Sequence, residues 1–100
     1  MLTSKQRAQL KGLAAAEDTI IHVGKGGISE AVIKQTAEAL KARELIKGRV
    51  LESSLLTADE ACRELAELCG AEPVQAIGSK FVLYKENRKI EKEKRIRLTT

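Results

Sequence analysis

Hydrophobic and polar positions along this chain change period several times, and each change marks an element. After Thr3 or Ser4, either of which can cap a helix, Leu10, Leu13 and Ala14 fall on one apolar stripe, predicting a helix to about Ala15. Arg7 and Lys11 lie along one edge of that stripe and Lys5 on its far side. Thr19–Val23 reads as a strand. From about Ser29 to Arg43 the period is again helical, with Ile33, Ala37 and Leu40 turned inward and Lys34 and Lys41 sharing one edge. Glu44–Glu52 alternates: Leu45, Lys47, Arg49 and Leu51 point one way, Ile46, Gly48 and Val50 the other. Two basic residues on one strand face imply that the middle of that face is open to solvent. Thr57 opens a third helix through a capping box to Glu60, Gly70 ends it, and Pro73 keeps it from resuming. Strands over about Val74–Ile77 and Lys80–Lys85 flank a Gly78-Ser79 hairpin. The order α-β-α-β-α-β-β predicts an α+β sandwich with a four-stranded mixed sheet.

The junction of the first strand and second helix carries the candidate chemistry. Gly24-Lys25-Gly26-Gly27 offers a backbone with few side chains in the way, and the helix start just beyond supplies unpaired N–H groups and a partial positive charge. Lys25 adds a full positive charge, so the loop suits a phosphate. A P-loop needs more residues between its glycines and a lysine where Ile28 stands. A dinucleotide fingerprint matches at Gly24 and Gly26 but meets Ser29 at its third glycine. A Gly-x-x-Gly clamp on a nucleic-acid backbone needs only Gly24 and Gly27 with a basic residue between. An ordinary strand-to-helix turn is the bland alternative.

Composition narrows the classes. With 43% apolar residues, the 100-residue chain can bury one modest core. Phe81 and Tyr84 are its only aromatic residues, so stacking platforms for bases are scarce and recognition must rest mainly on backbone and phosphate contacts. No apolar run has the length of a membrane span and the N-terminus lacks a signal-peptide core, so no membrane partner and a cytoplasmic location are expected. Cys62 and Cys69, two helical turns or roughly 10 Å apart, are too distant for a disulfide. They share a face with Ala58, Ala61, Leu65 and Leu68 and read as reduced core residues. His22 has no second histidine to build a metal site and reads as a solvated strand residue, although it could touch RNA beside the loop. Neither metal, cofactor nor catalytic residue is expected.

Charge is segregated. Residues 1–50 carry nine Lys/Arg against five Asp/Glu, residues 51–86 three against seven, and residues 87–100 six against two. One surface should therefore be basic and one acidic. The acidic one is the outer face of the third helix, through Asp59, Glu60, Glu64 and Glu67 with only Arg63 opposing, which should turn away from any nucleic acid. Residues 87–100 read as a mobile basic tail that orders on contact, or as part of the domain edge, after a single domain over 1–86. Pairs Glu91–Arg95 and Glu93–Arg97 could support a short helix there, and Arg95–Leu98 alternates like a strand.

Several segments together resemble one family. Ser4-Lys5-Gln6-Arg7 with Leu10-Lys11-Gly12-Leu13-Ala14 is similar to the opening helix of the CRM domain, the RNA-binding module of YhbY-like ribosome-associated proteins and plant organelle splicing factors. Val23 to Ser29 resembles its glycine loop and helix start, Glu44-Leu45-Ile46-Lys47 its second strand, and Gln75–Gly78 with Val82–Lys85 its terminal hairpin. The resemblance runs over about residues 2–98. It implies a fold like the C-terminal domain of translation initiation factor three, RNA binding through the glycine loop, and association with the precursor of the large (50S) ribosomal subunit during assembly. Three positions depart from the family pattern: Gly26 replaces a polar residue, Gly48 an apolar β-branched one, which should loosen the strand, and Lys85 an arginine.

The expected function is a non-catalytic RNA-binding module, acting as a monomer, with Gly24, Lys25, Gly26 and Gly27 holding phosphate. Arg7, Lys11, Lys34, Lys41, Lys47 and Arg88 are expected to supply further cations to ribosomal RNA. A nucleotide enzyme lacks a general base near the loop. An adaptor that docks basic ribosomal proteins on the acidic third helix is the alternative, and can coexist with RNA binding.

Overall fold

The computed structural model describes residues 2–90 and 96–98. Seven elements follow one another: α1 (Ser4–Ala14), β1 (Thr19–Val23), α2 (Glu30–Arg43), β2 (Leu45–Val50), α3 (Ala58–Cys69), β3 (Glu72–Ile77) and β4 (Lys80–Tyr84). Local chemistry sets most boundaries. The Gln6 amide donates to Thr3 Oγ1 and the Thr3 amide to Gln6 Oε1, so Thr3 rather than Ser4 is the cap of α1. Ser29 caps α2, and Thr57 with Glu60 forms the predicted box on α3. Gly70 takes the left-handed conformation at φ 65° and lets the Ala71 amide return to the Ala66 carbonyl at 2.8 Å. Pro73 lies inside β3 rather than before it, which an edge strand tolerates. No helix among the described residues is long and apolar enough to cross a membrane.

The sheet order is β1-β2-β4-β3, with β1 parallel to β2 and the other pairs antiparallel. The fold is thus the expected α+β arrangement with a four-stranded mixed sheet. Alternation in β2 divides the core as the sequence indicates. Ile46 and Val50 join Ile21, Val23, Phe81 and Leu83 beneath α2 and α3, whereas Leu45 joins Val82 and Tyr84 beneath Leu10 and Ala14 of α1. Gly48 does not loosen its strand. It pairs with Phe81 across β2 and β4, and the phenyl ring, 1% exposed, fills the space a Cβ would occupy.

Four inward assignments shift. Leu13 is 43% and Leu68 53% exposed, because each lies at the margin of its helix's stripe. Ala37 is exposed and Thr36 is buried in its stead, its hydroxyl satisfied by the Val32 carbonyl at 2.7 Å; Ile33 is half-buried against the core. β2 also ends at Val50, two residues early.

The expected mobile tail is not free where it is described. Ile96 and Leu98 pack on the α1 side of the core, and Gln9 Nε2 donates to the Arg97 carbonyl at 2.7 Å. The anchor is Glu44, 1% exposed and held at φ 62°, a strained setting for a residue with a Cβ. Its carboxyl group accepts the Asn87 amide at 2.7 Å and the Ile96 amide at 2.8 Å, while its carbonyl accepts the Lys85 amide. The Glu91–Arg95 pair lies outside the described residues, as do Glu93 of the second pair and Arg95 of the predicted Arg95–Leu98 alternation; Ile96–Leu98 alternate in burial but form no strand.

Candidate nucleic-acid interface

Parallel pairing brings the carboxyl ends of β1 and β2 out side by side, so the Gly24–Ser29 loop sits against the Leu51–Leu56 loop, tied by the Leu51 amide to the Val23 carbonyl at 2.8 Å. The β3–β4 hairpin arrives at the same end, where the Val50 amide donates to the Ser79 carbonyl. Within the glycine loop the Gly27 amide closes a turn onto the Gly24 carbonyl at 3.0 Å, and Gly27 takes φ 65°. Only Gly27 is required by backbone conformation. A Cβ on Gly24 would make ordinary contacts of 3.6 and 3.7 Å with Leu51 and Ser53, and one on Gly26 would meet nothing within 4 Å. Packing therefore leaves room for side chains that the sequence omits.

The donors at this end are equally idle. Among the described residues, the amides of Gly26, Ile28, Glu30 and Ala31 meet no acceptor, and the exposed Lys25 pairs with no carboxylate. Four N–H groups and an ammonium thus surround a strip of bare backbone, an arrangement that fits phosphate oxygens.

The other predicted cations separate into groups. Lys11 and Lys47 meet at the carboxyl end of α1, where Lys47 Nζ reaches the Ala14 carbonyl at 3.5 Å and offsets the negative helix end. Lys34 and Lys41 line a hollow of about 310 Å³ together with Lys85, Asn87 and Lys89. Lys85 Nζ is engaged there by the Cys69 carbonyl at 2.8 Å. Arg88 lies just beyond and pairs with Glu86 at 3.2 Å, both groups well exposed. Arg7 stands apart, lining a hollow on the β3 side with Asp59 and Arg63 of the acidic helix.

Sequence reading missed two cations. Arg49 and Lys80 are exposed, directly paired across β2 and β4, and join His22 of β1 in one rung of the sheet. The signal was present: Lys80 alternates with Val82 and Tyr84 just as Arg49 does with Lys47 and Leu45. The acidic residues of α3, Asp59, Glu60, Glu64 and Glu67, are exposed, and Arg63 meets Asp59 at 3.0 Å, an exposed pair worth under about 1 kcal/mol. The cysteines are free and buried; burial, then the Asp59 charge, pushes the Cys62 thiol up to about 11, and burial raises Cys69. Neither sulfur has the character of a reactive thiolate.

Comparison with known proteins gives this geometry a context. The model of the CRS1/YhbY (CRM) domain matches residues 2–85. The chain is 43% identical over 88 residues to the Bacillus subtilis protein named "Probable RNA-binding protein YqeI", covering 88% of this chain and 92% of that one. It is 33% identical over 84 residues to a Haemophilus influenzae protein named "RNA-binding protein", covering 84% and 85%. The solution structure of hypothetical protein SAV1595 from Staphylococcus aureus, for which RNA binding is suggested, superposes with a TM-score of 0.73. Its identity is 44%, with 99% of this chain and 100% of that one covered. Matched by the family model through every element from α1 to β4, the chain belongs to the CRS1/YhbY (CRM) domain family.

Proposed function

We propose that this protein is a non-catalytic RNA-binding module that holds an RNA backbone on its Gly24–Gly27 loop. One observation carries the reading: Gly24 and Gly26 are bare where packing would admit a side chain, beside idle amides and a free lysine. Phosphate oxygens would take the amides of Gly26 and Ile28 and those of the first turn of α2, with Lys25 neutralising charge. A carboxylate on Gly26 would occupy that strip and repel phosphate. Gly26→Asp should therefore fold as before and lose affinity for single-stranded RNA; unchanged affinity would reduce the loop to a turn. The names of the relatives support RNA as the partner.

The RNA we infer is ribosomal, from the precursor of the large subunit, whose assembly the protein would assist in the cytoplasm. This rests on the likeness of its segments to YhbY-like ribosome-associated proteins. Cross-linking in cells followed by sequencing of the attached RNA tests it: enrichment of large-subunit ribosomal RNA supports the assignment, and enrichment of other RNA rejects it. A second reading is favoured by the exposed acidic row of α3 with Leu68 beside it, which fits a basic ribosomal protein. Retention on protein-free ribosomal RNA separates the two, since an adaptor alone would not be retained.

A further inference from the structure

α1 covers the lower part of its sheet face and leaves the end nearest the glycine loop open. Across that end runs one rung of directly paired residues: His22 to Arg49, Arg49 to Lys80, and Lys80 to Ile77. All four side chains are exposed, and Ile77, a large apolar residue, is 67% exposed. Strands lie about 4.8 Å apart, so the rung spans roughly 14 Å from the strand that feeds the loop to the opposite edge. Among the described residues, neither Arg49 nor Lys80 pairs with a carboxylate. Where the rung ends, a hollow of about 180 Å³ opens with Ala14, Ile77 and Val82 on its walls and Lys11, Lys47 and Lys80 around it.

Small-molecule sites begin at about 300 Å³, so this hollow suits one planar group and not a whole cofactor. Apolar walls with three lysines among the lining residues match a nucleobase with phosphates on either side. An acidic peptide would satisfy the lysines but would not account for a cationic rung that begins beside the phosphate-binding loop. We propose that an RNA strand held by the glycine loop crosses the open sheet end along His22, Arg49 and Lys80 and seats one base against Ile77. This inference rests on the RNA-binding reading above and adds to it a path, a direction across the sheet and a base site without an aromatic platform.

Fluorescence titration of two single-stranded oligonucleotides tests it, one ordinary and one of equal length with an abasic ribose-phosphate backbone, each at several salt concentrations. The double variant Arg49→Gln/Lys80→Gln should make the slope of log K against log salt shallower by about 1.4, two released counterions for a single strand. Ile77→Ser should weaken the ordinary oligonucleotide about fivefold, as loss of apolar contact on one base predicts, and leave the abasic one unchanged. These positions are exposed, and circular dichroism verifies folding of each variant. A wild-type slope in the double variant, or an equal effect of Ile77→Ser on both oligonucleotides, overturns the proposal. If Gly26→Asp abolishes binding while the sheet variants do not alter it, the loop reading stands and this one falls. If the unmodified protein binds neither oligonucleotide, both fall.

Discussion

The two ends of the sheet handle their polar groups in opposite ways. At the end where β2 begins and β4 finishes, Glu44 accepts two tail amides through its side chain and a third through its carbonyl, and Asn87 Nδ2 donates to the Lys41 carbonyl at 2.6 Å. Tyr84 and Leu98 close over this end. At the loop end, the amides of Gly26, Ile28, Glu30 and Ala31 meet no acceptor, and Lys25, Arg49 and Lys80 pair with no carboxylate among the described residues. Buried polar groups must find partners inside the protein, whereas exposed ones can wait for a ligand. On the RNA-binding reading proposed above, one end serves stability and the other recognition.

The largest expected effect follows from breaking the closed end. Glu44→Ala removes the acceptor of two half-buried amides while retaining the strained φ, and should lower unfolding free energy by about 3 kcal/mol in urea titration. Deleting residues 88–100 should destabilise through the same Ile96 contact, so Arg88→Gln is the cleaner probe of that residue's part in RNA binding. Next comes the centre of the sheet. Gly48→Val would drive a side chain into the Phe81 ring and cost about 1–3 kcal/mol, most of it recovered by Phe81→Leu in the same chain. Simple addition of the two single losses would show that the ring does not fill the glycine's place.

Smaller effects sharpen the comparison. Cys62 holds its proton to about pH 11 in the folded state against 9.0 for the free thiol, so the folded protein binds more protons than the unfolded one between those values. Stability should fall as pH rises through that window, and Cys62→Ala should fall less steeply; below pH 9 the two slopes should agree. Smallest of all, Glu64→Gln/Glu67→Gln on the outer face of α3 should alter stability by no more than about 0.5 kcal/mol. Its RNA affinity should rise slightly, and less so at physiological salt, where screening acts over about 8 Å. A larger change than that from Lys25→Gln/Lys34→Gln would reverse the orientation of the domain on RNA.

What the sequence revealed was local. The caps at Thr57 and Gly70, the glycine turn and the alternation of β2 depend on neighbours a few residues apart, and all are present. What it concealed depends on partners far away along the chain. Glu44 and Ile96 are 52 residues apart, so nothing near either one discloses that the tail is anchored. Gly48 reads as a weak strand residue until Phe81 is known to lie opposite. The inward face of α2 is set by what it packs on, which is why Thr36 replaces Ala37 in the core. At the candidate site, the loop was legible as a motif. Its cations were not legible as a surface, because only sheet order joins His22, Arg49 and Lys80 and moves Arg7 to the opposite edge.

One paired measurement tests the division between the two ends most directly. Unfolding free energy and affinity for a single-stranded RNA are determined for Gly26→Asp and Glu44→Ala beside the unmodified protein. Gly26→Asp should unfold like the parent within about 0.5 kcal/mol and bind RNA at least tenfold more weakly, roughly 1.4 kcal/mol. Glu44→Ala should lose about 3 kcal/mol of stability and, at temperatures where it remains folded, bind RNA as the parent does. RNA affinity that survives Gly26→Asp, or that falls in folded Glu44→Ala by as much as in the loop variant, would contradict the account.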